Sequence, residues 1–150
     1  MTTPRETIYS TIFAALVKAV DGLNFVTASR KMKLWTEVPP SEQPAIFMHQ
    51  IKEGASMGSA KAPGPPNMNI LEIDVVVYAT AGQGQDDIIA PLLNNVADRI
   101  ESLFPPPPRQ AQTLVIPGVS SIRVTGDIEY REGNLTGQGI VIIPLRVVAV

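Results

Sequence analysis

The sequence predicts an α+β fold: a mostly antiparallel sheet of four to five strands, with two helices packed on one face and a C-terminal β-hairpin. The chain has 150 residues, the size of a single domain with one core, so residues 1–150 are expected to form one unit. Two segments carry apolar residues at helical spacing, and the remaining apolar segments have strand length. The predicted order is helix, two strands, strand, helix, two strands.

The first helix is expected over residues 3–21. Thr3 is placed as its N-cap, Pro4 as its first helical residue and Glu6 as the second member of a capping box. Gly22 follows the last apolar position and ends the helix. The apolar residues that predict this helix recur four apart, at Ile8, Ile12, Leu16 and Val20.

Three strands are expected between the helices. Residues 23–29 and 44–51 are short strands on either side of an irregular crossing segment, and residues 69–80 form the clearest long strand. Glu72 and Asp74 lie on one face of it, and the other face carries Leu71, Ile73, Val75 and Val77. Residues 53–67 contain three glycines and three prolines, which predicts a long surface loop of the kind that is functional or disordered.

The second helix is expected to end at Phe104. Pro91 suits its first turn, which leaves Asp86 and Asp87 in the preceding loop. Its apolar stripe is Ile89, Leu92, Leu93, Val96, Ile100 and Leu103. The four prolines that begin at Pro105 cannot continue a helix and predict a stiff, extended segment.

The last third of the chain predicts a hairpin. Residues 122–131 alternate, with Ile122, Val124, Ile128 and Tyr130 on a buried face and Arg123, Thr125, Asp127, Glu129 and Arg131 on a wet one. Residues 132–139 form the turn. The returning strand, 140–149, is apolar on both faces and interrupted by Pro144, which removes a ladder donor. One side of that strand is therefore expected to be unpaired or bulged.

Composition excludes several classes of function. The chain has no cysteine, which rules out disulfides, thiolate metal sites and cysteine nucleophiles. Its net charge of −2 gives no basic field for direct nucleic-acid recognition, and the basic cluster around Arg30 is expected to be solvated. No secretory signal is visible, and no apolar run reaches the roughly 20 residues that span a membrane.

The motifs that suggest chemistry are weak. Gly82 to Asp87 follows a strand and precedes a helix, as in a dinucleotide fingerprint, but its two aspartates lie where a pyrophosphate would bind. His49 is the only histidine, so a histidine metal cluster is impossible. Trp35 stands near basic residues, and closing a core or anchoring an interface explains it better than base stacking. We therefore predict no enzyme activity, no cofactor, no catalytic residue and no metal site.

The pattern as a whole resembles the tail terminator, or tail-completion, proteins of long-tailed bacteriophages. The resemblance is carried by the N-terminal helix, by "RKMKLW" leading to "QPAIF", by "IDVVVY" with its loop and the helix ending at Phe104, by "QTL", and by "GDIEYREG" with "IPL" near the C-terminus. It covers nearly all 150 residues. The proline-rich stretches at 62–66 and 105–108 depart from the family pattern.

The resemblance implies a structural virion protein. Such a protein forms a ring, expected to be a hexamer, on the end of the tail tube, stops tube polymerisation and offers a docking surface to the head-side connector. Its implied partners are itself, the tail tube protein, the connector and, in some tails, the sheath protein, with assembly in the bacterial host cytoplasm and a final place in the virion. The 53–67 loop and the 132–139 turn are expected to reach the tube or the connector.

A ring needs a heterologous interface, in which one patch meets a different patch on the neighbour. An exposed edge of the C-terminal strand and the wet face of the hairpin are expected to supply one patch. The candidate interface residues are Arg30, Trp35, Glu53, Arg123, Asp127, Glu129, Arg131 and Arg146. Three alternatives stay open: another phage neck or head–tail adaptor, a generic oligomeric scaffold unrelated to phage, and a small-molecule or nucleotide-binding enzyme that uses the Gly82–Asp87 loop.

Overall fold

The structure, a computed structural model, describes residues 3–56, 68–81, 89–105, 114–135 and 137–150. It confirms the α+β class. The helices are α1, Arg5–Ala19, and α2, Ala90–Leu103. The strands are β1, Thr27–Ser29; β2, Ala45–Ser56; β3, Met68–Thr80; β4, Val119–Val124; β5, Glu129–Leu135; and β6, Gln138–Ala149.

The strands form one six-stranded sheet in the order β1-β2-β3-β6-β4, with β5 also paired to β6. Only β1 and β2 are parallel; the other pairs are antiparallel. Because β3 occupies one edge of β6 along its whole length, β4 and β5 lie one after the other on its second edge. The sheet is therefore five strands wide, at the upper end of the predicted four to five.

Both helices pack on one face of the sheet, as predicted. The alternation of β3 places Leu71, Val75 and Val77 in the same apolar core as the buried stripes of α1 and α2. The odd-numbered residues of β6 from Val141 to Ala149 join this core. Arg99 links the two helices, because it donates hydrogen bonds from α2 to the carbonyls of Ala19 and Asp21 at the end of α1, at 3.2 and 2.8 Å.

Within the described residues, the opposite face of the sheet, which we call the outer face, is covered at one end only. There the crossing segment, with two single-turn 3₁₀ helices at Trp35–Glu37 and Pro40–Glu42, lies over Phe47, Tyr78 and Ile140. The hydroxyl of Tyr78 donates to the carbonyl of Lys33 at 2.8 Å. The crossing segment thus closes a second, smaller core.

Gln43 ties this crossing segment to the sheet. Its buried amide nitrogen donates to the carbonyl of Val38 at 2.9 Å and to Oε1 of Gln138 at 3.1 Å, while its amide oxygen accepts from Thr80. Every polar group of this side chain is therefore satisfied where β2, β3 and β6 begin or end. The peptide bond between Gln43 and Pro44 is cis.

The start of α1 differs from the prediction. The helix begins at Arg5 with Pro4 as the N-cap residue, and no side chain caps it. Thr3 instead donates its hydroxyl proton to the carbonyl of Pro117, and Glu6 forms an ion pair with Arg30. The predicted capping box is wrong, because distant partners take both side chains.

Two strand boundaries are also corrected. The first strand is only Thr27–Ser29 rather than 23–29, and Asn24 has a positive φ of 60° just before it. In contrast, β2 runs on to Ser56, so 53–56 is strand and not the beginning of a loop. The rest of the predicted loop, 57–67, lies outside the described residues. Pro91 does stand in the first turn of α2, as predicted.

The C-terminal hairpin is interrupted where the sequence places Pro144. The partner strand ends at Val124, resumes at Glu129, and passes the proline in an irregular segment from which Thr125 donates to the carbonyl of Pro144 at 3.0 Å. The prediction that one side of this strand is unpaired or bulged at Pro144 is confirmed, because no ladder pair on the β4–β5 side includes Pro144. The predicted exposed edge of this strand is wrong, because β6 lies inside the sheet with paired strands on both sides. The turn is also shorter than predicted, since β5 extends to Leu135.

Candidate assembly surfaces

The open part of the outer face carries an ion-pair cluster centred on Glu72. Its carboxylate lies 3.3 Å from Nζ of Lys52 on β2 and 3.3 Å from a guanidinium nitrogen of Arg146 on β6. The three residues occupy adjacent strands at one height, since Lys52 pairs with Glu72 and Glu72 with Arg146 in the sheet register. Two cations share one anion, so this cluster is positively charged.

Asp74 lies on the same face, one step along β3. Burial raises the pKa of its carboxyl group, and the neighbouring charges of Glu129 and Glu72 raise it further. His49, its direct partner on β2, opposes this effect and lowers the Asp74 pKa. A shallow cleft of about 220 Å³ runs past Asp74 and Glu72 to Gly126 and Pro144. An interface on this face would therefore meet a carboxylate that is already poorly hydrated.

Four of the predicted interface residues lie along the β4–β5 side of the sheet. Arg123 is opposite Arg146 in the register and donates to the carbonyl of Pro105 at 2.8 Å. Arg131 lies 3.7 Å from the carboxylate of Glu129, and both side chains are exposed. Asp127 is exposed in the irregular segment between β4 and β5. With Arg146, these residues form the hairpin part of the predicted surface.

Two other predicted residues lie elsewhere and are held within the subunit. Glu53 accepts two hydrogen bonds from the guanidinium of Arg5, at 2.6 and 2.7 Å, which lowers the pKa of its carboxyl group. Arg30 pairs with Glu6, and its guanidinium carbon stands 5.9 Å from the centre of the Tyr9 ring. Both arginines tie α1 to other elements of the fold. The structure does not bring these two pairs to the hairpin surface.

Trp35 opens the first 3₁₀ helix on the crossing segment. Its side chain is 37 % exposed, and that of the neighbouring Leu34 is 64 % exposed. The backbone N–H of Leu34 donates to the Glu37 carboxylate at 2.7 Å, which fixes this turn. A partly exposed tryptophan on a fixed turn suits an interface anchor, and that role stays a prediction.

Sequence reasoning missed part of this arrangement. It placed Glu72 on the wet face but gave it no partner, and Lys52 was not singled out, because their contact depends on the register of β2 against β3. The alternation of residues 122–131 placed Tyr130 on the buried face, whereas the structure leaves it 44 % exposed. Tyr130 does point to the helix side, where burial and the nearby Asp98 and Glu101 raise its pKa. It lies at the sheet edge, where little covers it.

A groove of about 410 Å³ lies on the helix face, lined by Ala15, Lys18, Ala19, Leu103 and Leu114. It is mainly apolar and open. Among the described residues, no group of three or more His, Asp or Glu side chains could hold a metal ion. No helix within the described ranges is long and apolar enough to cross a membrane. The Gly82–Asp87 loop lies outside the described residues.

No family model matches the chain, and no curated protein matches it in sequence. Several solved structures share its fold, among them two that match over almost its whole length. One protein, which bears no functional name, has 16 % identity and a TM-score of 0.56, with 99 % of this chain and 96 % of that chain covered. The other is a chain from the virion of a native gene transfer agent (GTA) particle, with 11 % identity, a TM-score of 0.53, and 95 % and 96 % covered. At these identities the likeness shows a common fold.

Proposed function

We propose that this chain is a virion structural protein that forms a ring at the end of a phage or phage-like tail tube, stops tube polymerisation and presents a docking surface to the head-side connector. The observation that carries this proposal is the full-length fold likeness to a GTA virion chain, which covers 95 % of this chain and 96 % of the other. The motif resemblance to tail terminators supports the same role from the sequence.

The chemistry of the described surface favours assembly over catalysis. Several of its charges form ion pairs, among them the cluster around Glu72. Charged residues arranged in this way give specificity and orientation to a protein interface. A surface that works by shape and charge matching needs no cofactor.

A neck or head–tail adaptor is the second candidate, because the similar chain is described only as part of a GTA virion, with no position in the particle. The two roles differ in phenotype. Loss of a terminator leaves tails of irregular length without heads, whereas loss of an adaptor leaves tails of normal length that fail to join heads. A nucleotide-binding enzyme would instead use the Gly82–Asp87 loop, where the charges of Asp86 and Asp87 oppose phosphate binding, so reversing their charge would then raise nucleotide affinity.

The test is deletion of the gene in the strain that produces the particles, followed by electron microscopy of the tails. We expect tails of variable and excessive length, without attached heads, and restoration of the normal length distribution when the full chain is supplied in trans. Tails of normal length already joined to heads would contradict the proposal. Turnover of a small molecule by the purified chain would contradict it as well.

A further inference from the structure

The two sides of the sheet end in backbone edges that differ in how they are covered. On one side, β1 pairs only with Ala45–Phe47, so no described residue pairs with the outer edge of β2 from Met48 to Ser56. The residues of this open half are exposed from His49 to Ala55. An edge with free donors and acceptors is a template for another strand.

The register identifies the backbone groups that point outward from this edge. The carbonyl of Pro144 accepts a hydrogen bond from Thr125, so the backbone at Pro144 points its hydrogen-bonding side toward β4 and β5. The backbone N–H and carbonyl of Asp74, which pairs with Pro144 on β3, therefore point toward β2. The alternation of an antiparallel ladder then points His49 and Lys52 toward β3. The outward groups of the open half are those of Gln50, Glu53 and Ala55.

On the other side of the sheet, β4 is occupied and β5 is open. The N–H of Val124 donates to the carbonyl of Phe104 at the end of α2, at 3.3 Å, which occupies the outer edge of β4 at its last residue. By the same alternation, Glu129 and Arg131 face β6, and the backbone groups of Tyr130 and Glu132 face outward. No described residue pairs with them.

The two open edges match in direction and in face. Crossing from β2 through β3 and β6 to β5 passes four antiparallel strands, so β5 runs opposite to β2. A second copy placed head to tail therefore presents β2 antiparallel to β5. The residues whose backbone groups point outward on both edges have their side chains on the helix face of the sheet, as do Val77 on β3 and Val141 on β6. Pairing of the two edges would therefore place the helix faces of neighbouring copies on the same side of the joined sheet.

The edges also match in charge. Lys52 lies on the β2 edge, where Glu53 is already neutralised by Arg5. Glu129 and Glu132 outnumber Arg131 on the β5 edge.

We propose that β5 of one copy of this chain pairs antiparallel with the open half of β2 of the next copy, and that this heterologous contact builds the ring. The inference rests on the proposed function, which requires self-assembly, and it names the surfaces used. A bulge between Gln50 and Lys52 and the charge of Lys52 hinder pairing with arbitrary strands. The carboxylates of Glu129 and Glu132 on β5 supply the negative charge that attracts Lys52.

The position of the edges along the strands fits a closed ring. Within one copy, Arg131 lies at the same height along the strands as Ala45 on β2. Pairing β5 with the region of Lys52 therefore shifts each copy along the strand direction by roughly six residues, or roughly 20 Å, relative to the one before it. Four strands span about 19 Å across the sheet. A shift of this size corresponds to a strand tilt of about 45°, at the upper end of the range found in closed sheets.

Because the chain has no cysteine, disulfide cross-linking tests the pairing directly. Four double variants combine His49→Cys or Lys52→Cys on β2 with Glu129→Cys or Arg131→Cys on β5. The backbone N–H and carbonyl groups of these four residues point into their own sheets. Across the new contact the residues would therefore form non-hydrogen-bonded pairs, whose Cα atoms are close enough for a disulfide. Each variant replaces the chain in the producing strain, and the purified particles are oxidised and run on a non-reducing gel.

We expect one of the four variants to give a ladder of multimers, while a control with Ser10→Cys on α1 and Glu129→Cys stays monomeric. Particles with normal tails and only monomeric chain in all four variants would overturn the pairing and leave the proposed function standing. A ladder from Ala28→Cys with Glu129→Cys would overturn it too, since β1 would then be the edge used. Normal tails on particles that lack the chain would overturn both proposals.

A charge swap keeps the test decisive if a cysteine variant does not fold. Lys52→Glu is expected to reduce incorporation into particles by about tenfold, because it faces the acidic β5, and adding Glu129→Lys is expected to restore it. Thermal melting of each purified variant verifies that it folds. Well-folded Lys52→Glu that is incorporated like the unaltered chain would count against the contact.

Discussion

The two faces of the sheet are built from the same strands but are covered in opposite ways. On the helix face, the odd-numbered residues of β6 from Val141 to Ala149 are all buried under α1 and α2. On the outer face, Ile140 is covered by the crossing segment, and further along the strand Arg146 is exposed beside Glu72. In the part of the chain that the structure describes, a face that is covered along its whole length therefore backs one that is covered at only one end.

This contrast separates the residues that make the fold from those available for assembly. The helix face supplies most of the buried apolar area, which is the main favourable term in folding. The open part of the outer face contributes ion pairs that are partly exposed and add little to stability. We therefore expect substitutions on the helix face to unfold the chain, and substitutions on the open outer face to leave it folded.

The strongest test of the contrast truncates one side chain on each face of β6. Ile143→Ala removes a fully buried side chain from the main core and is expected to lower the free energy of unfolding by about 3 kcal/mol. Val148→Ala, on the outer face of the same strand, is expected to cost less than about 1 kcal/mol because Val148 is only half-buried. Urea denaturation measures both. Equal losses would show that the outer face is as well covered as the helix face.

Two glycines sharpen the comparison, one on each face. A Cβ at Gly139 would lie 2.8 Å from Cγ2 of Ile89 and 3.0 Å from Cδ1 of Leu93, so Gly139→Ala is expected to push α2 away at a cost of roughly 1–3 kcal/mol. A Cβ at Gly54 meets nothing within 4 Å, and Gly54→Ala is expected to stabilise the strand by roughly 0.5 kcal/mol. Melting temperatures that move in the same direction would contradict this difference.

A smaller effect is expected where the crossing segment meets the outer face. Tyr78→Phe removes the hydrogen bond to the carbonyl of Lys33 and leaves the ring in place, which is expected to cost about 1 kcal/mol. Hydrogen exchange should then rise in residues 30–43 and stay unchanged in α1. Faster exchange in α1 to the same extent would mean that the crossing segment and the main core unfold as one unit.

The smallest expected effect concerns Asp74 and depends on pH. Because the pKa of its carboxyl group is raised in the folded state, ionisation costs stability as the pH rises through that value, and the protonated form carries no such cost. Asp74→Asn is therefore expected to raise the melting temperature slightly at pH 7, with the gain vanishing as the pH falls toward about 4. A variant less stable than the unaltered chain at pH 7 would show that the carboxylate is stabilising.

Much of the fold follows from local patterns in the sequence. The period-two alternation of β3, the helical stripe of α2 with Pro91 in its first turn, and the break opposite Pro144 were all predicted, because each depends on residues close together along the chain. Thr3 and Glu6 were assigned wrongly because partners more than twenty residues away take their side chains.

The candidate surface was predicted less completely than the fold. The hairpin residues Arg123, Glu129 and Arg131 could be placed on one face from their spacing. The Glu72 cluster could not, since it depends on which residues of β2 and β6 stand beside β3. The open edge of β2 was hidden by the glycines and prolines after Glu53, which predicted a loop where the strand continues.

The central claim is that copies of this chain form a ring at the end of a tail, joined through the edges of their sheets. Cryo-electron microscopy of particles from the producing strain tests it most directly. The account predicts a hexameric ring of this fold at the head-proximal end of the tail tube, with β5 of each copy against β2 of the next. Absence of the chain from the particles, or a ring in which both edges face solvent, would contradict it.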